Sequence, residues 1–161
     1  NTVREIYSRF PLLDFTYHGK PEARAEIDRD GFITSGDMGY IDEDGFLFIA
    51  DRVKDMVISG GVNIYPAEIE SVLHNYPGVK DCAVFGIPDE EFGESVMAVV
   101  EAEKTNNVCV DEVKVYLREH LAGFKVPKTI EIGADLPRED SGKIFKRRLR
   151  DKYWQQAGRK I

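Results

Sequence analysis

The most pointed chemical feature of the chain is a lysine set directly after a glycine, in Leu136-Pro137-Arg138-Glu139-Asp140-Ser141-Gly142-Lys143. Gly142 gives the backbone freedom to turn at a loop tip. A lysine placed there offers a compact cation on a flexible four-carbon stem, suited to balancing charge on a phosphate. The pair is not a Walker-type phosphate loop, which needs Gly-x-x-x-x-Gly-Lys-Ser/Thr between a strand and a helix. Pro137 stands where the first glycine belongs, and Ile144 follows the lysine. Taken by itself, the segment reads as an exposed lysine in a turn.

Three further stretches hold residue types that could do chemistry. In Thr34-Ser35-Gly36-Asp37-Met38-Gly39 two glycines flank one aspartate and let the backbone approach another group closely; the plain alternative is a turn aspartate. Asp51-Arg52-Val53-Lys54-Asp55 is charged at four of five positions and marks a boundary, with Arg52 able to pair with Asp51 or Asp55. Ser59-Gly60-Gly61 reads as a flexible glycine loop or hairpin. Cys82 and Cys109 show no Cys-x-x-Cys spacing, which argues against a zinc knuckle or disulfide framework and for a reducing, cytoplasmic setting. His18, His74 and His120 have no metal-binding spacing, so no protein-bound metal is expected.

These residues need elements to hold them. Arg29-Asp30-Gly31 and Asp42-Glu43-Asp44-Gly45, each followed by a short apolar run, predict tight turns in a β-rich region over residues 1–50. Met56-Val57-Ile58 is a strand candidate, and Pro66 suits the first turn of a helix whose apolar face is Ile69, Val72, Leu73 and Tyr76. Residues 81–87 and 95–102 are aliphatic, β-branched runs expected at the centre of a sheet. Val113, Leu117 and Leu121 recur at helical spacing with Asp111 and Glu112 in the first turn, Arg118 and His120 near the end, and Gly123 just past it. A short strand over 128–132, a loop over 137–142 and a basic helix with the stripe Phe145, Leu149, Tyr153 complete the reading. The fold class is α+β: a small sheet with packed helices, preceded by a β-rich segment.

At 161 residues, 42% hydrophobic and 32% charged, the chain suits one globular domain with a further piece, and excludes a large multidomain enzyme. Its net charge is −7, yet residues 138–161 hold nine basic and three acidic side chains, a local balance of +6, which leaves −13 on the first 137. That distribution is wrong for wrapping nucleic acid and leaves the basic tail as either a solvated helix face or a polyphosphate-facing surface. No stretch reaches the length of an apolar membrane span, and the start at Asn1, with neither a signal-peptide core nor an initiator methionine, points to a fragment.

Read in order, Thr34-Ser35-Gly36-Asp37, Asp51-Arg52-Val53-Lys54-Asp55 with the run from Ile58-Ser59-Gly60-Gly61-Val62-Asn63-Ile64-Tyr65-Pro66 to Glu70, and Leu136-Pro137-Arg138 with Ser141-Gly142-Lys143 resemble the adenylate-forming enzymes. That superfamily holds acyl- and aryl-CoA ligases, luciferase and peptide-synthetase adenylation domains. The Gly-Gly-Val-Asn-Ile-Tyr-Pro form looks most like the fatty acyl-CoA synthetase branch, and Val84-Phe85-Gly86-Ile87-Pro88-Asp89 and Phe92-Gly93-Glu94 extend the resemblance across nearly the whole chain. Two departures are Ser35, where threonine is usual, and the acidic Glu139-Asp140 before Ser141.

The resemblance implies that residues 1–52 are the β-rich end of a large N-terminal domain. Residues 53–161 would be the mobile C-terminal lid domain, with the hinge near 51–55. It implies ATP-dependent activation of a carboxylic acid, a fatty acid on the branch resembled, to an acyl-adenylate, then transfer to coenzyme A, with Mg2+ arriving with ATP and its site in the missing domain. Lys143 would be the catalytic cation, Asp37 the acceptor for both ribose hydroxyls, Arg52 a second nucleotide ligand and Lys54 the torsional hinge. Ser59, Gly60 and Gly61 would line the coenzyme A tunnel. The context of Lys143 also resembles that of family lysines modified by a lysine acetyltransferase, which would erase the charge. The chain alone would be inactive. The rival readings are adenylation with another acceptor, a non-catalytic binding module of the same fold and, resting on the tail alone, a nucleic-acid binder.

Overall fold

Turn chemistry shapes the first of two units, residues 1–54 and 55–161, into which the chain divides. The computed structural model describes residues 2–9, 15–103, 108–133 and 135–157, so Arg159 and Lys160 of the basic tail lie outside the described residues. The first unit runs β1 (Arg4–Ser8), α1 (Glu22–Glu26), β2 (Asp28–Arg29), β3 (Phe32–Ile41) and β4 (Leu47–Arg52). Strand β3 is the spine, antiparallel to the other three. Asp30 and Gly31 both take positive φ, 55° and 81°, and close β2 onto β3 in the two-residue hairpin whose twist matches the strands. At the next turn Asp42 Oδ1 accepts from the amides of Asp44 at 3.1 Å and Phe46 at 2.8 Å. The short helix α1 carries no apolar periodicity and was not foreseen.

The segment over 34–39, for which a turn is the plain alternative, lies within β3. Glu5 pairs with Met38 and Tyr7 with Thr34, so Ser35, Gly36 and Asp37 stand opposite the single residue Ile6. Gly36, at φ 79°, absorbs that bulge while β3 keeps its neighbours.

The second unit holds β5 (Val57–Ser59), β6 (Val62–Ile64), α2 (Pro66–Leu73), β7 (Val79–Asp89), β8 (Gly93–Ala102), α3 (Val110–His120), a 3-10 turn at Gly123–Lys125, β9 (Thr129–Gly133) and α4 (Lys146–Gln156). The sheet runs β6-β5-β8-β7, with β9 joined parallel to β8. Strand β8 is therefore central, whereas β7, expected beside it at the centre, lies at the margin and pairs only with β8 among the described strands.

Both strands are buried on two faces, which explains their unbroken apolar runs. Cys82, Val84, Val96, Ala98 and Val100 point to one face and pack with Ile69 and Leu73 of α2, Val113 and Leu117 of α3 and Ile130 of β9. Ala83, Phe85, Met97 and Val99 point to the other, under Leu136, Leu149 and Tyr153. Two periodicities shift against expectation. Tyr76 lies beyond the end of α2 yet still packs on the core, and Phe145 is the N-cap of α4, 39% exposed, outside the buried stripe. Trp154 closes that stripe instead, donating from Nε1 to the Gly86 carbonyl at 3.1 Å. No described helix is long and apolar enough to cross a membrane.

Candidate functional site

In the first unit the bulge of β3 presents Asp37 opposite Arg52 of β4, as register partners. Arg52 Nε lies 3.6 Å from Asp37 Oδ1, and the Ser35 hydroxyl donates to Asp37 Oδ2 at 2.7 Å. Both charged side chains keep solvent access, at 65% and 30%, so the ion pair is weak and easily exchanged for a ligand. The Val53 amide donates to the Gly36 carbonyl at 2.9 Å, closing the strand end across the bulge. A cavity of about 400 Å³ is lined there by Ser35, Gly36, Arg52, Val53 and Lys54 together with Glu5, Tyr17, Ile27 and Thr34. Here the structure gathers Arg52, Lys54 and the Ser35-Gly36 bulge, with Asp37 beside them through Ser35 and Arg52.

In the second unit Gly60 and Gly61, at φ 57° and 80°, form the two-residue hairpin between β5 and β6, with Ser59 opposite Val62. The Gly60 amide donates to the Phe92 carbonyl at 2.9 Å, and a Cβ on Gly60 would sit 3.0 Å from the Phe92 ring. Ser59 and Gly60 line a second cavity, about 320 Å³, with Phe92, Phe124, Val126 and Lys128. Lys128 Nζ stands 4.3 Å from the centroid of the Phe92 ring and 2.8 Å from Asp89 Oδ2. That lysine hydrogen bond, with the amides of Phe92 and Glu91, pulls the Asp89 carboxyl down to about 2. Sequence reasoning missed Phe92, Phe124 and Lys128. Phe92 was visible only as part of the Phe92-Gly93-Glu94 run, and the other two reach the cavity from the 3-10 turn and from the position just before β9.

Lys143 lies on a small hairpin of its own. Arg138 and Ile144 pair across it; the Glu139 amide donates to the Lys143 carbonyl at 2.8 Å, and the Gly142 amide to the Glu139 carbonyl at 2.8 Å. Gly142 takes φ 84°, the left-handed conformation such a tight hairpin requires. The Phe145 amide closes the base on the Pro137 carbonyl at 2.7 Å. The Lys143 side chain is exposed, and among the described residues no ion pair engages its ammonium. It does not line the Ser59-Gly60 cavity. Among the described residues no cluster of His, Cys, Asp or Glu could hold a metal ion.

Residues 68–143 match the family model described as AMP-binding enzyme C-terminal domain. A feruloyl-CoA synthase of Amycolatopsis sp is 50% identical over 149 residues, covering 92% of this chain and 30% of that protein. The long-chain-fatty-acid–CoA ligase FadD13 of Mycobacterium tuberculosis is 43% identical over 149 residues, covering 92% and 29%. Among solved structures, ATP-bound MatB from Rhodopseudomonas palustris superposes with a TM-score of 0.87 at 41% identity, over 94% of this chain and 30% of that one. The chain thus spans about 30% of the length of the proteins it matches.

Proposed function

The chain belongs with the adenylate-forming ligases through its AMP-binding enzyme C-terminal domain, and from that premise we propose that it is the lid-bearing end of an ATP-dependent acid:CoA ligase. In the first half-reaction a carboxylate oxygen attacks the α-phosphorus of ATP and pyrophosphate leaves, giving the acyl-adenylate. In the second the thiol sulfur of coenzyme A attacks the acyl carbonyl, its proton is lost, and AMP leaves with the bonding electrons.

The observation that carries this reading is the Lys143 hairpin: a cation held at a glycine turn, solvent-exposed and, among the described residues, without an ion-pair partner. A preorganised cation is most useful where charge develops, here on the α-phosphate as the carboxylate attacks. Asp37, an acceptor-only group with two oxygens, suits the paired ribose hydroxyls. Arg52 brings a fork of donors to the same cavity. Lys54, on that cavity's wall at the end of the first unit, takes the hinge role.

The second cavity suits coenzyme A. Gly60 leaves room on its wall for the pantetheine arm, with Gly61 next to it in the hairpin turn, Phe92 and Phe124 offer aromatic faces, and Lys128 offers a cation. Mg2+ would arrive with the ATP phosphates, and its ligands and the pocket for the acid would belong to the N-terminal domain of the full-length protein. The acid is a fatty or aryl carboxylate, consistent with the names of the two relatives, and the chain by itself releases no pyrophosphate. The exposure of Lys143 leaves it open to a lysine acetyltransferase, whose product would lack the cation.

Lys143→Ala in the full-length protein tests the assignment. The expected result is a loss of about 10²–10³-fold in ATP–pyrophosphate exchange, with thioester formation from supplied acyl-adenylate retained. Equal loss in both half-reactions would remove Lys143 from the chemistry.

A further inference from the structure

Asp81 and Glu101 are direct cross-strand partners on β7 and β8. Two like charges so placed repel one another unless cations intervene. Glu101 is buried at 3% exposure and bonds Lys80 Nζ, which holds the Glu101 carboxyl below and the Lys80 ammonium above their usual ranges. The second cation is Arg138, at the base of the lysine hairpin. Its Nη2 donates to Asp81 Oδ2 at 2.7 Å and reaches Glu101 Oε2 at 3.4 Å, while its Nη1 donates at 3.1 Å to the carbonyl of Gly142, the residue immediately before Lys143. One planar guanidinium therefore spans from the sheet to the turn that aims the lysine. Beside it, the amide of buried Leu136 donates to Glu101 Oε2 at 3.4 Å, tying down the segment that enters the hairpin.

We propose that Arg138 is a positioning residue for Lys143, docked on the Asp81–Glu101 carboxylate pair so that the hairpin holds the ammonium at the place where charge develops. A guanidinium is suited to this because its nitrogens lie in a rigid fork, whereas a lysine at 138 could not bridge the carboxylates and the carbonyl with one nitrogen. The proposal rests on the reading that Lys143 acts in adenylate formation. It adds that the precision of that cation is set through Arg138 by Glu101 and Asp81, which lie 37 and 57 residues before that arginine in sequence.

Arg138→Ala in the full-length protein should lower ATP–pyrophosphate exchange by about 10- to 100-fold, the range of a small misplacement of a reacting group. Thioester formation from supplied acyl-adenylate should stay within about threefold, since the hairpin then has no transition-state charge to meet. Because Arg138 acts through Lys143, Arg138→Ala with Lys143→Ala should be no slower than Lys143→Ala alone. In the present chain, Arg138→Ala should speed hydrogen exchange at Glu139, Gly142 and Phe145 while leaving the amides of β8 protected. Asp81→Asn, which weakens the same contact from the sheet side, should give the same selective loss in smaller measure, and serves where Arg138→Ala does not fold.

Equal loss in both half-reactions, or further loss in the double variant, would overturn the positioning role. If Lys143→Ala itself leaves adenylation intact, the catalytic reading fails first. If Lys143→Ala abolishes adenylation while Arg138→Ala and Asp81→Asn do not touch it, the proposal alone fails.

Discussion

At the scale of single residues, the sequence singles out candidate groups more readily than the partners they meet. Lys143, Asp37 and the Gly60-Gly61 pair each read as an ordinary turn when taken alone, and it is their order along the chain, in motifs that resemble one family, that singles them out. Arg52 invites pairing with its chain neighbours Asp51 or Asp55, and the structure pairs it instead with Asp37, which only the register of β3 against β4 could reveal. A prediction at this scale concerns Gly61, where a Cβ would meet nothing within 4 Å but the backbone sits at φ 80°. Gly61→Leu should therefore strain the turn while projecting a side chain from the hairpin. In the full-length protein it should slow thioester formation about tenfold or more and spare pyrophosphate exchange, the KM for coenzyme A carrying most of the change. Loss confined to adenylation would contradict the tunnel assignment.

At the scale of elements, the aliphatic runs of β7 and β8 were legible because burial on both faces removes the polar alternation of a half-exposed strand. Their order in the sheet was not, since β9 joins by a parallel pairing that no local turn announces. The interlocking of β7, β8 and α4 turns on Gly86. A Cβ there would overlap the Glu94 carboxylate, which accepts from the Ile58 amide at 3.4 Å, and would press on Val57 Cγ1 at 3.2 Å. Gly86→Ala should therefore cost about 1–3 kcal/mol as an overpacked site. Trp154, the one tryptophan of the chain, bonds the Gly86 carbonyl and reports the change directly in fluorescence-detected urea unfolding.

The turn between β7 and β8 carries a pH prediction at the same scale. Asp89 is depressed to about 2 through Lys128 and the Phe92 and Glu91 amides. Its contribution is therefore fully present above the unfolded carboxyl range near 4 and is lost as pH falls through about 2. Wild-type protein should loosen around Phe92 over that acid window, seen in ring resonances, and Asp89→Asn should remove the transition.

At the scale of the whole molecule, the boundary at 54 and 55 falls inside the charged stretch that composition marks, two residues beyond the division at 52 and 53 read from the sequence. What composition cannot convey is how unequal the two units are. The second has a continuous core on both faces of its sheet, from Val57 through Ile130. Among the described residues of the first, Ile33 and Met38 are the buried hydrophobics, while Ile41, Phe46, Leu47, Phe48 and Ile49 are all exposed by 45% or more. Stability follows apolar area removed from water, so the first unit has little of its own and the second is self-sufficient. Residues 55–161 expressed alone should fold with a melting temperature within a few degrees of the same transition in the whole chain. In the whole chain, amides of β8 should exchange at least about a hundredfold more slowly than those of β3, a gap of about 2.7 kcal/mol in opening free energy. Equal protection in the two strands would mean that the first unit is as stable as the second, and the reading of a self-sufficient second unit beside a weak first one would be wrong.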